Sequence, residues 1–175
     1  MLLTFKDYTP KIGANVFIAP NAMIIGDVEI GDNTGIWFGA VVRGDLAPIR
    51  IGADSNIQDN CTVHTEVDIP TIIGDNVTVG HNAVIHSCTI ENNCLIGIGA
   101  IVMDSAVVKS GSIVAAGAVV KYGQQVGPNC LFAGVPAEFK KKLPDDTAAR
   151  MKKPSQIYCE LAAEYLRGSD RRSDK

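Results

Sequence analysis

The chain has 175 residues and a formal charge of −3, from 16 Lys and Arg against 19 Asp and Glu. That length suits one domain with a sizeable core or a compact subunit of an oligomer, and the charge offers no basic field for nucleic acid or an anionic membrane. Aromatic residues are 6% of the chain, while Ile and Val together number 36 beside 17 Gly, which suits thin repetitive strands and tight corners rather than a helical bundle.

The N-terminal stretch from Met1 to Tyr8 lacks a basic segment followed by an apolar run, so no secretory signal is read there. Apolar runs such as Leu95 to Met103 are too short and glycine-rich to span a bilayer. The five cysteines form no CxxC pair, which argues against a disulfide framework and a cysteine zinc site. A soluble, cytoplasmic protein is expected.

From Ile12 onward, Ile or Val recurs every six residues. The beat falls on Ile12, Ile18, Ile24, Ile30, Ile36 and Val42, then on Ile51, Ile57 and Val63, then on Ile73, Val79 and Ile85. It continues through Ile90, Ile96, Val102, Val108, Val114, Val120 and Val126 to Phe132. A period of six matches neither a helix nor a long alternating strand; it belongs to a β-solenoid of stacked hexapeptide units. Four residues after most beats sits a small side chain, as at Ala22, Thr34, Ala40, Ser55, Cys61, Ala83, Cys94 and Ala118, sized for a narrow core. Gly, Asp and Asn between them suit corners, and each coil is stabilised by its neighbours.

The pattern resembles the left-handed parallel β-helix of hexapeptide-repeat proteins, in which three units make an 18-residue turn; the handedness is implied by the resemblance. The repeats cover about residues 10–136, roughly six coils, within a β-helical region of residues 1–137. The beat stops after Gly134–Val135–Pro136–Ala137. Residues 138–168 then read as a helical segment: Pro144–Asp145–Asp146 is a helix start with acids placed for free N–H groups, and Pro154 breaks or kinks the helix beyond it. From Ser155 a second stretch carries an apolar stripe of Ile157, Leu161 and Tyr165, expected to pack along the outside of the solenoid and to end near Gly168. Residues 169–175 are charged and expected to be disordered.

The six-residue step fails at three places: Val42 to Ile51 gains three residues, Val63 to Ile73 gains four, and Ile85 to Ile90 loses one. Arg43, His64 and His86 each follow the beat residue that opens an irregular unit. The intervals of 21 and 22 residues are one coil plus each insertion, which stacks the three side chains in one column at strand spacing, roughly 4.8 Å. Asp59 falls one coil below His81 on the preceding side. Two stacked imidazoles can share a metal ion, since each ligand bond is only about 2 Å. His81 lies on a different side from His86, so the economical arrangement brings His81 of one subunit to His64 and His86 of another, as cyclic threefold packing would allow. Three histidines leave a fourth position open for water, the mark of a catalytic site.

Ile36–Trp37–Phe38, Arg43–Gly44–Asp45, Asn56–Ile57–Gln58–Asp59–Asn60, His64, and Val79 through His86 together resemble the γ-class carbonic anhydrase family. The resemblance implies a homotrimer with a metal site at each subunit interface, holding Zn2+ (or Fe2+ or Co2+) through His64 and His86 of one subunit and His81 of its neighbour. It implies an ion-pair network of Arg43, Asp45 and Asp59 at that interface, with Asn56 and Gln58 hydrogen-bonding near the metal-bound water, and Tyr158 over the pocket. The implied reaction is reversible hydration of CO2 to bicarbonate by metal-bound hydroxide, whose water titrates near a pKa of about 7, a value that belongs to carbonic anhydrase zinc sites generally. Leu46 stands where the best-known active members carry a glutamate, and the loop from Thr65 to Pro70 is short where theirs is long and acidic. Glu66 is the nearby substitute for proton transfer.

Plainer roles stand beside these. Arg43 and Asp59 suit an interface salt bridge better than catalysis, and Gln58 could equally cap a corner. Cys61, Cys94 and Cys130 occupy the small inward slot; Cys88, near His86, is a candidate ligand of low standing. Trp37 reads as a surface or interface anchor. Two other classes of function remain: a hexapeptide acyltransferase or thioester hydrolase acting on acyl-CoA, in which one histidine serves as general base, and a non-catalytic metal-binding trimeric scaffold.

Overall fold

The structure is a computed structural model that describes residues 1–170, with side chains described through Gly168. Short parallel strands stack into a solenoid of about seven turns, each with three sides. That is about one turn more than the roughly six coils expected, because the pairing begins ahead of the first beat. Leu2–Leu3 pairs with Met23–Ile30 ahead of the first beat, and Cys130–Ala133 pairs with Ile113–Val114 at the far end. Met23–Ile30 and Val41–Ile51 run unbroken through a corner, which joins two sides into one 12-stranded sheet; the third side is an eight-stranded sheet.

The beat residues make the core. Those from Ile24 to Val126 are all buried, while Ile12, Ile18 and Phe132 at the ends are partly covered. Each buried Ile or Val contributes about 1.5–3 kcal/mol by leaving water. The small slots pack beside them, and their polar members are satisfied by the wall: Thr34 Oγ1 donates to Gly52 O at 2.8 Å and Ser55 Oγ to Gly74 O at 2.9 Å. Asn15, Asn33, Asp54, Asn76 and Asn93 take positive φ at the corners, a conformation Asn and Asp tolerate through their short polar side chains.

The irregular steps leave the register of the wall intact. Val42 pairs with Val63, and Val63 with Ile85, so the extra residues are expelled from the coil. The first insertion bulges around Asp45–Pro48, where the register shifts against Gly26–Val28. The second folds on itself through an antiparallel bridge between Glu66 and Ile69. The shortened step still pairs Ile73 with Ile90, with Ser87 turning at a φ of 45°.

Several expectations for the C-terminal region change. Glu138–Lys142 is a strand, antiparallel to Cys130–Ala133, and not part of a helix. One helix, Thr147–Asp170, runs through Pro154 without a break. A mid-helix proline costs about 3 kcal/mol, and here burial of Thr147 before it and of Ser155 and Ala162 after it offsets that cost. Ser155 and Ala162 are buried on the docked face, and Tyr158 and Leu166 pack on the core. The stripe of Ile157, Leu161 and Tyr165 is therefore not the buried face: all three are exposed, although the Tyr165 ring stacks on Phe17 at 5.1 Å and Leu161 borders the same groove. Asp146 pairs with the Arg150 guanidinium at 2.7 Å, so its side chain serves an ion pair. Trp37 is buried beneath the helix, in ring contact with Phe17, Phe38, Tyr158 and Tyr165, and is not a surface anchor. Of the charged tail from 169 to 175, the first two residues continue the helix and 171–175 lie outside the described residues. Among the described residues no helix is long and apolar enough to cross a membrane.

Candidate metal centre

His64 closes strand Thr62–His64 and His86 closes strand Val84–His86; the two are register partners on adjacent coils. Their ring centroids are 5.2 Å apart, and Nδ1 of His64 faces Nε2 of His86 at 3.2 Å. The outer nitrogens meet carboxylates. Nε2 of His64 lies 3.0 Å from Asp45 Oδ1, and Nδ1 of His86 is bonded to Asp104 Oδ1. Asp45 Oδ2 in turn accepts from Arg43 Nη1 at 2.6 Å. Burial works against the Asp45 anion, but hydrogen bonds from Arg43 and His64 and the charge of Arg43 outweigh it and hold the carboxyl below its ordinary range.

An ionised carboxylate only accepts, so each ring donates from its outer nitrogen, and the inner nitrogen is the one available to a metal. Inner nitrogens 3.2 Å apart are bridged by one shared proton, or else turn both lone pairs to a metal ion set beside them. Tetrahedral zinc with Zn–N bonds of about 2.0–2.1 Å separates its ligand atoms by roughly 3.3 Å. The imidazole pair thus fits two corners of such an ion. Among the described residues no three His, Cys, Asp or Glu side chains converge to hold a metal, so one chain offers two ligands and not three.

His81 stands just past strand Thr78–Val79, in the other sheet. Its Nδ1 lies 2.8 Å from Asp59 Oδ2 and its Nε2 3.4 Å from the Tyr158 hydroxyl. Its backbone N–H donates to Gln58 Oε1 at 3.2 Å, Gln58 Nε2 donates to Asn56 Oδ1 at 3.0 Å, and Asn56 Nδ2 donates to Thr78 Oγ1 at 3.1 Å. Because the chain begins on a backbone N–H, which can only donate, it dictates both amide orientations. Gln58 is left with one unused N–H. Asp59 Oδ1 also accepts from Phe38 N at 3.1 Å, so within one chain Asp59 serves His81 and not Arg43. Burial, and then the nearby Asp59 charge, push the Tyr158 phenol up.

The remaining candidates sort by position. Leu46 and Glu66 are both exposed, and the Glu66 carboxylate accepts from Val67 N of its own loop at 2.9 Å. Cys88 is buried in the core, its thiol pushed up to about 12 by burial, and among the described residues it does not join the histidines in a group of three ligands. Sequence reasoning did not single out Thr78 or Asp104. For Asp104 the signal was present: it follows His86 by 18 residues, one uninterrupted coil.

Fold and repeat define a hexapeptide-repeat solenoid, and profiles of that class match the chain: "bacterial transferase hexapeptide (six repeats)" over residues 9–44 and 87–121, and "hexapeptide repeat of succinyl-transferase" over 48–87. The chain is 42% identical over 165 residues to a carbonic anhydrase of Geobacillus kaustophilus, covering 94% of this chain and 91% of the relative. It is also 42% identical over 167 residues to γ carbonic anhydrase 2, mitochondrial, of Arabidopsis thaliana, spanning 92% of this chain but 60% of that protein's length. The chain belongs to the γ-carbonic anhydrase-like family of hexapeptide-repeat proteins. A crystal structure of a hexapeptide transferase family protein from Anaplasma phagocytophilum superposes with a TM-score of 0.89 at 42% identity, covering 94% of this chain and 97% of that one.

Proposed function

We propose that the chain is a metal-dependent carbonic anhydrase of the γ type, hydrating CO2 reversibly to bicarbonate in the cytoplasm as a cyclic homotrimer. Zinc, or iron(II) or cobalt(II), is held by His64 and His86 of one subunit and by a His81 of the next. The inner nitrogens of His64 and His86, 3.2 Å apart with a carboxylate at each outer nitrogen, carry this reading, because that separation suits two ligand atoms of one tetrahedral ion. A divalent ion held there supplies Lewis acidity and acidifies water near neutral pH.

The chain's own residues do the rest. Asp59 holds the His81 ring from Nδ1 and leaves Nε2, beside the Tyr158 hydroxyl, as the nitrogen a neighbouring subunit's metal would take. Gln58, fixed by His81 and Asn56, offers its spare N–H to an oxygen of CO2 or bicarbonate. Arg43 keeps Asp45 ionised and in place against His64.

Metal content and native mass on one purified sample, with stopped-flow CO2 hydration, test the proposal. The expected result is one divalent ion per subunit in a trimer, with hydration above the buffer rate that His64→Ala abolishes. The transferase designation of the Anaplasma phagocytophilum relative keeps a second reading in play. A metal-free protein that turns over acetyl-CoA supports that one instead, and a metal-loaded trimer inert in zinc and iron forms, with anaerobic handling, supports a scaffold.

A further inference from the structure

We infer that Asp104 is a positioning residue of the metal centre: from the coil above it accepts a hydrogen bond from His86 Nδ1–H and so presents Nε2 to the ion. The inference rests on the metal-dependent reading above and names what makes that site selective for one ring nitrogen.

Corner acids are common in this solenoid and have an ordinary use. Asp32 Oδ1 accepts from Ala14 N at 2.7 Å and Asp75 Oδ1 from Ala53 N at 2.8 Å, each capping the backbone of the coil beneath. The Asp104 carboxylate departs from that use. It reaches down to the His86 ring, and its side chain is 22% exposed. The backbone around it is held by the corner ladder: Ser105 N donates to Ser87 O at 2.7 Å, and Gly123 N to Asp104 O at 2.9 Å. A carboxylate fixed at both flanks can choose a tautomer, where a mobile one would only add charge.

The arrangement also mirrors the coil below. Asp45 meets the outer nitrogen of His64, and Asp104 meets the outer nitrogen of His86, with the two inner nitrogens facing each other between them. One acid lies in the inserted bulge and the other in a regular corner, so no single insertion accounts for both. Carboxylate partners of metal-bound histidines fix the tautomer, orient the ring and raise its basicity; losing one costs roughly 10–100-fold in metal affinity, a range that includes carbonic anhydrase zinc sites.

Zinc affinity, read by competition with a chromophoric chelator on the trimer, tests the assignment alongside the imidazole 15N spectrum of the zinc-loaded protein. With three histidines in the chain, that spectrum resolves each ring. Wild type is expected to bind zinc with His86 protonated at Nδ1. D104A is expected to lose about 10–100-fold in affinity and to shift the His86 nitrogens while the His81 ring is unmoved. D104N, which keeps an accepting oxygen in the same volume, is expected to recover part of the loss and to keep the Nδ1 proton. Should D104A fail to assemble, D104N decides: a several-fold loss with an altered cobalt(II) spectrum supports the role. A wild type that binds zinc, with both variants binding within about threefold of it and an unchanged His86 signal, overturns the inference alone. A wild type that takes up no divalent metal overturns the metal-dependent reading itself.

Discussion

Asp45 joins His64 to Arg43: one carboxylate oxygen lies 3.0 Å from His64 Nε2 and the other 2.6 Å from Arg43 Nη1. The bulge that carries Asp45 exists because three residues are inserted after Val42, so an irregularity in the repeat becomes a wall of the site. The folded carboxyl titrates below its ordinary value. Its stabilisation is therefore complete above the unfolded value and is lost as pH falls through the folded one. Melting temperature between pH 5 and pH 2 is expected to drop more steeply for wild type than for D45N, and equal slopes would contradict the pairing.

Ile96 and Ile98 are the same residue two positions apart, with 0% and 56% of their surface exposed. Ile96 is a beat residue facing the core, and Ile98 lies in the corner segment after it. Urea unfolding is expected to place I96A about 2–5 kcal/mol below wild type and I98A within about 0.5 kcal/mol of it. Equal losses would mean that the six-residue phase assigned to this coil is wrong.

The phase of the solenoid was legible because core and corner demand different residue types at a fixed interval, and each beat from Ile24 to Val126 is buried as that demand requires. The stacking of His64 on His86 was legible by the same count, since subtracting an insertion restores the register. Other features depend on partners that no period announces. The carboxylate of Asp104 could have capped backbone, as Asp32 does, and only the fold reveals that it turns to a ring. Pro154 and Trp37 misled for one common reason: the helix docks through Ser155, Tyr158 and Ala162, a contact that both overrides the proline and covers the indole.

Gly26 links the wall to the bulge. It sits at a φ of +79°, and a Cβ there would meet Gly44 O at 2.3 Å. Gly99 has a similar φ of +65° but open space around its Cβ position. G99A is expected to cost about 1–2 kcal/mol from backbone strain alone. G26A is expected to cost more, and to weaken zinc binding by displacing Gly44 and its neighbour Asp45. Equal unfolding losses for the two variants would show that the approach to Gly44 is not a constraint.

Leu46 follows Asp45 in the bulge, is 45% exposed and can carry no proton. If CO2 hydration is the reaction, each turnover must deliver a proton to buffer, so kcat is expected to rise with buffer concentration. L46E supplies a carboxylate there and is expected to raise kcat in dilute buffer by up to about 100-fold, the lower bound typical of a positioned acid–base group. The advantage should vanish in concentrated imidazole, while kcat/KM stays within about twofold. An L46E gain that persists at high buffer would indicate some other effect than proton transfer.

His81 stands on a different sheet from the His64 and His86 pair, and no three metal-ligating side chains converge among the described residues of one chain. The shared site therefore predicts complementation between damaged chains. H81A keeps the imidazole pair, and a chain carrying H64A with H86A keeps His81. Either alone is expected to bind no zinc tightly. Unfolded together in equal amounts and refolded, they form mixed cyclic trimers, in which an interface is whole when an H81A chain faces a double-variant chain in the right order. Random assembly makes about one quarter of interfaces whole, so zinc content should recover to about that fraction of wild type. A site built within one subunit would recover nothing, whatever the mixing ratio.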